Sequence, residues 1–112
     1  MKVKRIYETA GKTDGTRILV DRLWPRGVNK AKAKIDEWAK DVAPSTALRK
    51  WFHRDREGRW EEFQERYEKE LSKKRVRLGK LKSGAGSSTI TLVTAAKDPT
   101  HSHVEVLKKY LR

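Results

Sequence analysis

Apolar side chains recur along this chain with two different periods, and the switches between them mark out its elements. Val3-Lys4-Arg5-Ile6-Tyr7 interleaves apolar and basic residues as a half-buried strand does, and Gly11 and Gly15 mark the loop after it. Arg17-Ile18-Leu19-Val20-Asp21 is a β-branched, apolar run that predicts a more deeply buried second strand, halting before Trp24-Pro25. The link between the two is too short for a helical crossover, which makes them antiparallel if they are neighbours. From Asn29 the period turns helical: Ile35, Trp38, Ala39 and Val42 share one face, with Asn29 as cap and Pro44 as the stop.

Ser45 then caps a short helix carrying Leu48, Trp51 and Phe52 at i, i+3 and i+4. A longer helix starts near Arg59, with Trp60, Phe63, Tyr67 and Leu71 on its inner side and Glu62/Arg66, Glu65/Lys69 and Glu70/Lys74 as i,i+4 pairs outside. Helix is expected to run on as far as Gly79, and Lys82 to Ser88 is small and polar, as in a flexible connector. Thr89 to Thr94 is a third, buried strand; Asp98-Pro99 opens a final helix whose inner stripe is Val104, Leu107 and Leu111. The sum is one small α/β domain over residues 1–112, with a mostly parallel central sheet of about three strands and about five flanking helices. There is no internal repeat.

Composition narrows this picture. With 36% hydrophobic and 38% charged residues, the core must lean on large side chains, chiefly the four Trp, three Tyr and two Phe. No apolar run approaches a membrane span, Met1-Lys2-Val3-Lys4-Arg5 lacks the apolar core of a signal peptide, and cysteine is absent, all of which fit a cytoplasmic chain without membrane contact. The same absence removes disulfides, thiolate metal sites and a cysteine nucleophile. A net charge of +13 either draws anionic partners or simply keeps the protein soluble. Neither composition nor pattern specifies an oligomeric state.

The candidate chemistry follows from topology. Strands two and three are joined by a long, largely helical segment, the connection of a parallel pair, so their carboxyl ends lie together. Asp21, Arg22 and Arg26 stand at one end, and Lys97, Asp98, His101 and His103 at the other. Ligands of open α/β sheets bind beyond these ends, where the N–H groups of the last helix also point. Arg22 and Arg26 can hold phosphate or carboxylate oxygens by paired hydrogen bonds, Gly27 permits the tight exit, and Ala95-Ala96 lets a ligand approach the backbone. Against this, Arg22 can pair with Asp21, Asp36 or Asp98 as a structural ion pair, and a helix cap accounts for Asp98.

His101 and His103 differ by two positions and face apart on a helix, which argues against a shared metal, and no cofactor motif is present. His103 is a candidate proton-transfer group near Asp98, although packing explains a histidine at a helix start equally well. His53, in a charged segment, reads as solvated surface. Trp38, Trp51 and Trp60 sit on apolar stripes and read as core, leaving Trp24 as a candidate ligand contact. The basic run with Lys73, Lys74, Arg75, Arg77, Lys80 and Lys82 is the nucleic-acid alternative, but it lacks interleaved aromatics and a known nucleic-acid-binding signature; a solvated helix face explains it too.

Three blocks carry a resemblance: Val20-Asp21-Arg22-Leu23-Trp24-Pro25-Arg26-Gly27-Val28, then Ala43-Pro44-Ser45-Thr46 with Leu48-Arg49-Lys50-Trp51-Phe52, then Ala95-Ala96-Lys97-Asp98 with His103. In this order, over nearly the whole chain, they resemble the YeaO-like family of small prokaryotic proteins (domain of unknown function 488). The resemblance implies a compact α/β domain and supplies no activity, cofactor or partner. Its motifs coincide with Arg22, Trp24, Arg26, Arg49, Lys97, Asp98 and His103, and the chain departs from the pattern at Thr100-His101-Ser102. The expected function is a pocket for a small anionic, phosphate- or nucleotide-like ligand, with Arg22, Arg26, Arg49 and Lys97 as anion contacts, Trp24 beside it, and Asp98 and His103 as proton-transfer candidates. A chain without a ligand would instead show these arginines fully paired to carboxylates and no open cleft.

Overall fold

Four strands, β1 (Lys2–Arg5), β2 (Thr16–Leu19), β3 (Glu37–Trp38) and β4 (Ile90–Thr94), form one sheet in the order β1-β4-β2-β3 in a computed structural model that describes residues 1–112. All three pairings are parallel, so the sheet has one strand more than expected. β1 and β2 are not neighbours: β4 lies between them, with Val3 opposite Leu92 and Ile18 opposite Leu92 on its two sides. Parallel strands need a return path, and residues 6–15 supply it as an extended loop with a single 3-10 turn, Lys12–Asp14. Gly15 closes that loop at φ 67°, where an added Cβ would run into the Thr89 carbonyl.

Five helices complete the fold: α1 (Lys30–Ala33), α2 (Thr46–His53), α3 (Trp60–Ser72), α4 (Arg75–Ala85) and α5 (His103–Leu111). The pleat divides the core. Ile18, Val20 and Leu92 face a large cluster built from Leu48 and Phe52 of α2, Phe63, Tyr67 and Leu71 of α3, Leu78 and Leu81 of α4, and Val104, Val106, Leu107 and Leu111 of α5. Ile6, Leu19 and Val93 face a thinner cover of Ala33, with Trp24, Ile35 and Trp38 packed against it. Three of the four central helices thus carry the stripe their period announced. Nothing in the fold is long and apolar enough to cross a membrane as a helix.

The helix expected from Asn29 to Pro44 is the main correction. Asn29 does cap it, accepting from the Lys32 N–H, but the helix stops at Ala33 because Lys34 turns left-handed at φ 50°. Residues 35–38 then pair with the free edge of β2: the Asp36 N–H donates to the Arg17 carbonyl, and its carboxylate accepts the Arg17 N–H at 2.8 Å. The four apolar residues of the expected helical face serve opposite sides of the sheet, Ile35 and Trp38 the thin one and Ala39 and Val42 the thick one. An unpaired edge of backbone groups outweighed a short helix of modest propensity.

Smaller corrections follow the same logic. Of the expected pairs on α3 only Glu62–Arg66 forms; Glu70 instead accepts from Ser45, and Lys74 donates to the Asp41 carbonyl. α4 runs to Ala85, through the segment expected to be a connector, because Leu78, Leu81 and Ala85 seat on the core. Asp98 caps only the 3-10 turn Pro99–His101, and Ser102 caps α5. Gly79 lies in the exposed face of α4 with open space where a Cβ would go. Gly79→Ala is therefore expected to raise stability by about 0.8–1 kcal/mol, read as a higher urea midpoint at unchanged slope.

Candidate functional site

Residues 42–45 are a strap that builds one wall of a cleft at the carboxyl edge of the sheet. Three groups pin it. The Tyr67 hydroxyl, buried to the point that its pKa is raised well above normal, donates to the Val42 carbonyl at 2.5 Å. Glu70 accepts from the Ser45 N–H at 2.8 Å and from the Ser45 hydroxyl at 2.7 Å. Arg22, just beyond β2, donates through Nε to the Pro44 carbonyl (2.9 Å) and through Nη2 to the Ala43 carbonyl (3.0 Å). The strap ends at Ser45, whose hydroxyl caps α2 by accepting the Leu48 N–H, and one turn on stands Arg49.

The opposite wall is the end of β4 and the start of α5. Asp21 accepts from the Thr94 hydroxyl and the Ala95 N–H, both at 2.7 Å, and lies 3.2 Å from His103 Nε2. Burial pushes its carboxyl up, but the hydrogen bond and charge of His103, with the Ala95 and Thr94 donors, outweigh it and hold the pKa below normal. His103 Nε2 also faces the Val20 carbonyl at 3.0 Å. Two acceptors on one ring nitrogen place the proton there, and Nδ1 has no protein partner and reaches solvent.

Between the walls is a cavity of about 360 Å³. Its charged lining is Arg22, Arg26, Arg49 and Arg56 with His53 and His103, against a single carboxylate, Asp21. No carboxylate lies within ion-pair distance of any of the four arginines, and Arg49 Nε is buried without a hydrogen-bond partner. Arg22 pairs with neither Asp21, Asp36 nor Asp98. His53 has its pKa lowered by burial first and then by the charges of Arg56, Arg49 and His103. Phe52, Phe63, Pro25 and Trp24 supply the apolar part; Trp24 donates its indole N–H to the Val28 carbonyl and meets Trp38 edge-on.

A family model covers residues 1–112, that of the inactive DUF488-N3 subclade. The chain belongs to this family. It is 42% identical to the uncharacterised protein YeaO of Escherichia coli K12 over 112 residues, 100% of this chain and 96% of that protein. It is equally 42% identical to the uncharacterised protein Rv3073c of Mycobacterium tuberculosis H37Rv over 111 residues, 99% of this chain and 92% of that one. No solved structure matches it.

In this member of the family the cleft gathers Arg22, Trp24, Arg26, Arg49 and His103. Lys97 is exposed outside its lining. Asp98 is also outside, on an open depression with Arg56, Glu57, Trp60 and His101, where the Thr100 hydroxyl and the His101 ring hold its carboxyl below normal. The carboxylate facing His103 is Asp21 rather than Asp98. His53 was legible only as surface; the signal for it was position, since Arg49 and His53 stand at i and i+4 on α2 beside the buried Leu48/Phe52 stripe, and Arg56 follows in the turn just past the helix end.

Proposed function

We propose that this protein binds a small anion bearing phosphate or carboxylate oxygens, nucleotide-like in size, in the cleft at the carboxyl edge of the sheet. One observation carries the reading: four arginines converge on an open cavity without a carboxylate partner, one of them with a buried, unpartnered Nε. Buried donors without acceptors cost stability, and an oxyanion supplies the missing acceptors. The cavity volume falls in the range of small-ligand sites. The description of the subclade as inactive favours binding over turnover.

Thermal unfolding against inorganic phosphate, pyrophosphate, nucleotides, sugar phosphates and citrate, at matched ionic strength, tests this. A ligand at about a hundred times its Kd adds roughly 2.7 kcal/mol, a midpoint shift of several degrees. In Arg49→Gln that shift should shrink by more than half. Binding should also tighten as pH falls below about 6.5, because an anion beside His53 favours its imidazolium form. If no anion shifts the midpoint more than chloride at equal ionic strength, the cleft is not an anion site.

A further inference from the structure

Residues 71–97 contain no Asp or Glu, yet hold Lys73, Lys74, Arg75, Arg77, Lys80, Lys82 and Lys97. Folding sorts the six at residues 73–82 into two sets. Arg77 turns back to Glu37 (3.0 Å) and Asp41 (2.7 Å), Lys74 donates to the Asp41 carbonyl, and Lys82 to the Arg112 carbonyl. Lys73, Arg75 and Lys80 are exposed and have no acidic partner, and Lys69, one turn back on α3, is in the same state.

The surface between them is not explained by the packing of the chain itself. The side of α4 that meets the core is Leu78, Leu81 and Ala85. The other side presents Val76, 76% exposed, with Gly79 and Ser83 at i+3 and i+7. Gly79 has open space at its missing Cβ, so its helix weakness serves no internal contact. The face is therefore a shallow floor of small residues rimmed by free cations, on a chain of net charge +13. A second copy of such a chain is repelled from it. A polymer of phosphates is attracted, comes close to the helix over the small residues, and accepts charge-assisted hydrogen bonds from the rim.

We infer that the exposed face of α4, with the end of α3, docks the phosphate backbone of nucleic acid. Neither of the two main cavities is lined by this face, and Lys73, Arg75, Val76, Gly79, Lys80 and Ser83 include no aromatic platform, so it reads charge and not sequence. This surface is separate from the arginine cleft, none of whose lining comes from α4.

Fluorescence anisotropy with a short labelled duplex, the corresponding single strand, and vesicles containing phosphatidylserine, over a series of salt concentrations, tests the assignment. The full chain is compared with Lys73→Gln/Arg75→Gln/Lys80→Gln and with Lys12→Gln/Lys32→Gln/Lys109→Gln, which removes the same charge from exposed positions elsewhere. The α4 triple variant should lose about tenfold or more in affinity for nucleic acid. Its log–log salt slope should flatten by about two to three, since each phosphate left unneutralised on duplex DNA removes about 0.9. The control triple variant should lose less than about threefold. Equal losses in the two triple variants would mean that diffuse charge alone binds the duplex, and the proposal fails. It fails too if vesicles bind and neither nucleic acid does.

Discussion

Arg22→Ala is expected to weaken the binding of pyrophosphate or a nucleotide in the cleft by about thirtyfold or more, the effect of losing about 2 kcal/mol or more from a hydrogen-bonded charge pair. The reason is the way the side chain is held. Its Nε and Nη2 are committed to the Pro44 and Ala43 carbonyls, which fixes the guanidinium plane before any ligand arrives and leaves Nη1 free of protein partners. Little rotamer entropy then remains to be lost on binding. Arg22→Lys separates charge from geometry: it restores a cation but not the fork that grips two carbonyls, and should recover only part of the loss. Calorimetric titration at constant ionic strength measures both variants, with urea unfolding in parallel to show that each is folded. A dissociation constant unchanged in Arg22→Ala would remove Arg22 from the ligand contacts.

That experiment isolates one residue of a linked assembly. Tyr67 and Glu70 of α3 set the height of the strap at residues 42–45, the strap carbonyls orient Arg22, and the Ser45 cap sets where α2 begins and hence where Arg49 stands. The large helical core on one side of the sheet thus positions the cleft at its edge. Charged side chains on the strand ends alone would be mobile.

The parts of this arrangement that were legible in the sequence are those set by local period and cap. β2 and β4 announce themselves as apolar runs, α2 by Ser45 and its Leu48/Phe52 stripe, and α3 by a stripe from Trp60 to Leu71. Their parallel pairing follows from the length of the helical connection, and it carries the cleft with it, including Arg22, Trp24, Arg26 and His103, whereas Arg49 on α2 was indicated by the family motif alone. What was not legible depends on partners distant in the chain. Residues 35–38 have a helical period, yet they run along β2 and Glu37–Trp38 become a strand because β2 offers a bare edge. Asp21 and Asp98 are both near His103 in topology, and only the Thr94 hydroxyl and the Ala95 N–H decide that Asp21 turns toward it. The basic run at residues 73–82 is one feature in sequence and two in space, since Glu37 and Asp41 draw Arg77 away.

The largest stability effect lies far from the cleft, at Arg17. This side chain is only 4% exposed; it donates to Asp14 at 2.6 Å and twice to the Ala33 carbonyl, at 3.2 and 2.9 Å, tying the loop before β2 to the end of α1. Arg17→Met keeps the length and the apolar stem but orphans that carbonyl and strips one partner from a carboxylate that is 2% exposed. Breaking a buried pair from one side costs about 3–5 kcal/mol, and because Lys4 stays 3.1 Å from Asp14 the lower end is expected. The Asp14 pKa is lowered to about 2 by the Gly11 N–H first, against burial, with help from the Lys4 and Arg17 hydrogen bonds. A folded pKa below the unfolded one adds stability that is complete above the unfolded value, near 3.9, and is lost as pH falls through the folded value. The gap between wild type and Arg17→Met should therefore hold steady at neutral pH and narrow as pH falls from about 4 towards 2. Urea unfolding across that range measures it. The double variant Asp14→Leu/Arg17→Met should be more stable than Arg17→Met alone, because it removes the buried carboxylate that Arg17→Met strands, while Lys4, 21% exposed, keeps the Thr9 carbonyl as a partner. If the double variant loses as much as the two single changes added together, the ion pair is not what secures this corner of the sheet.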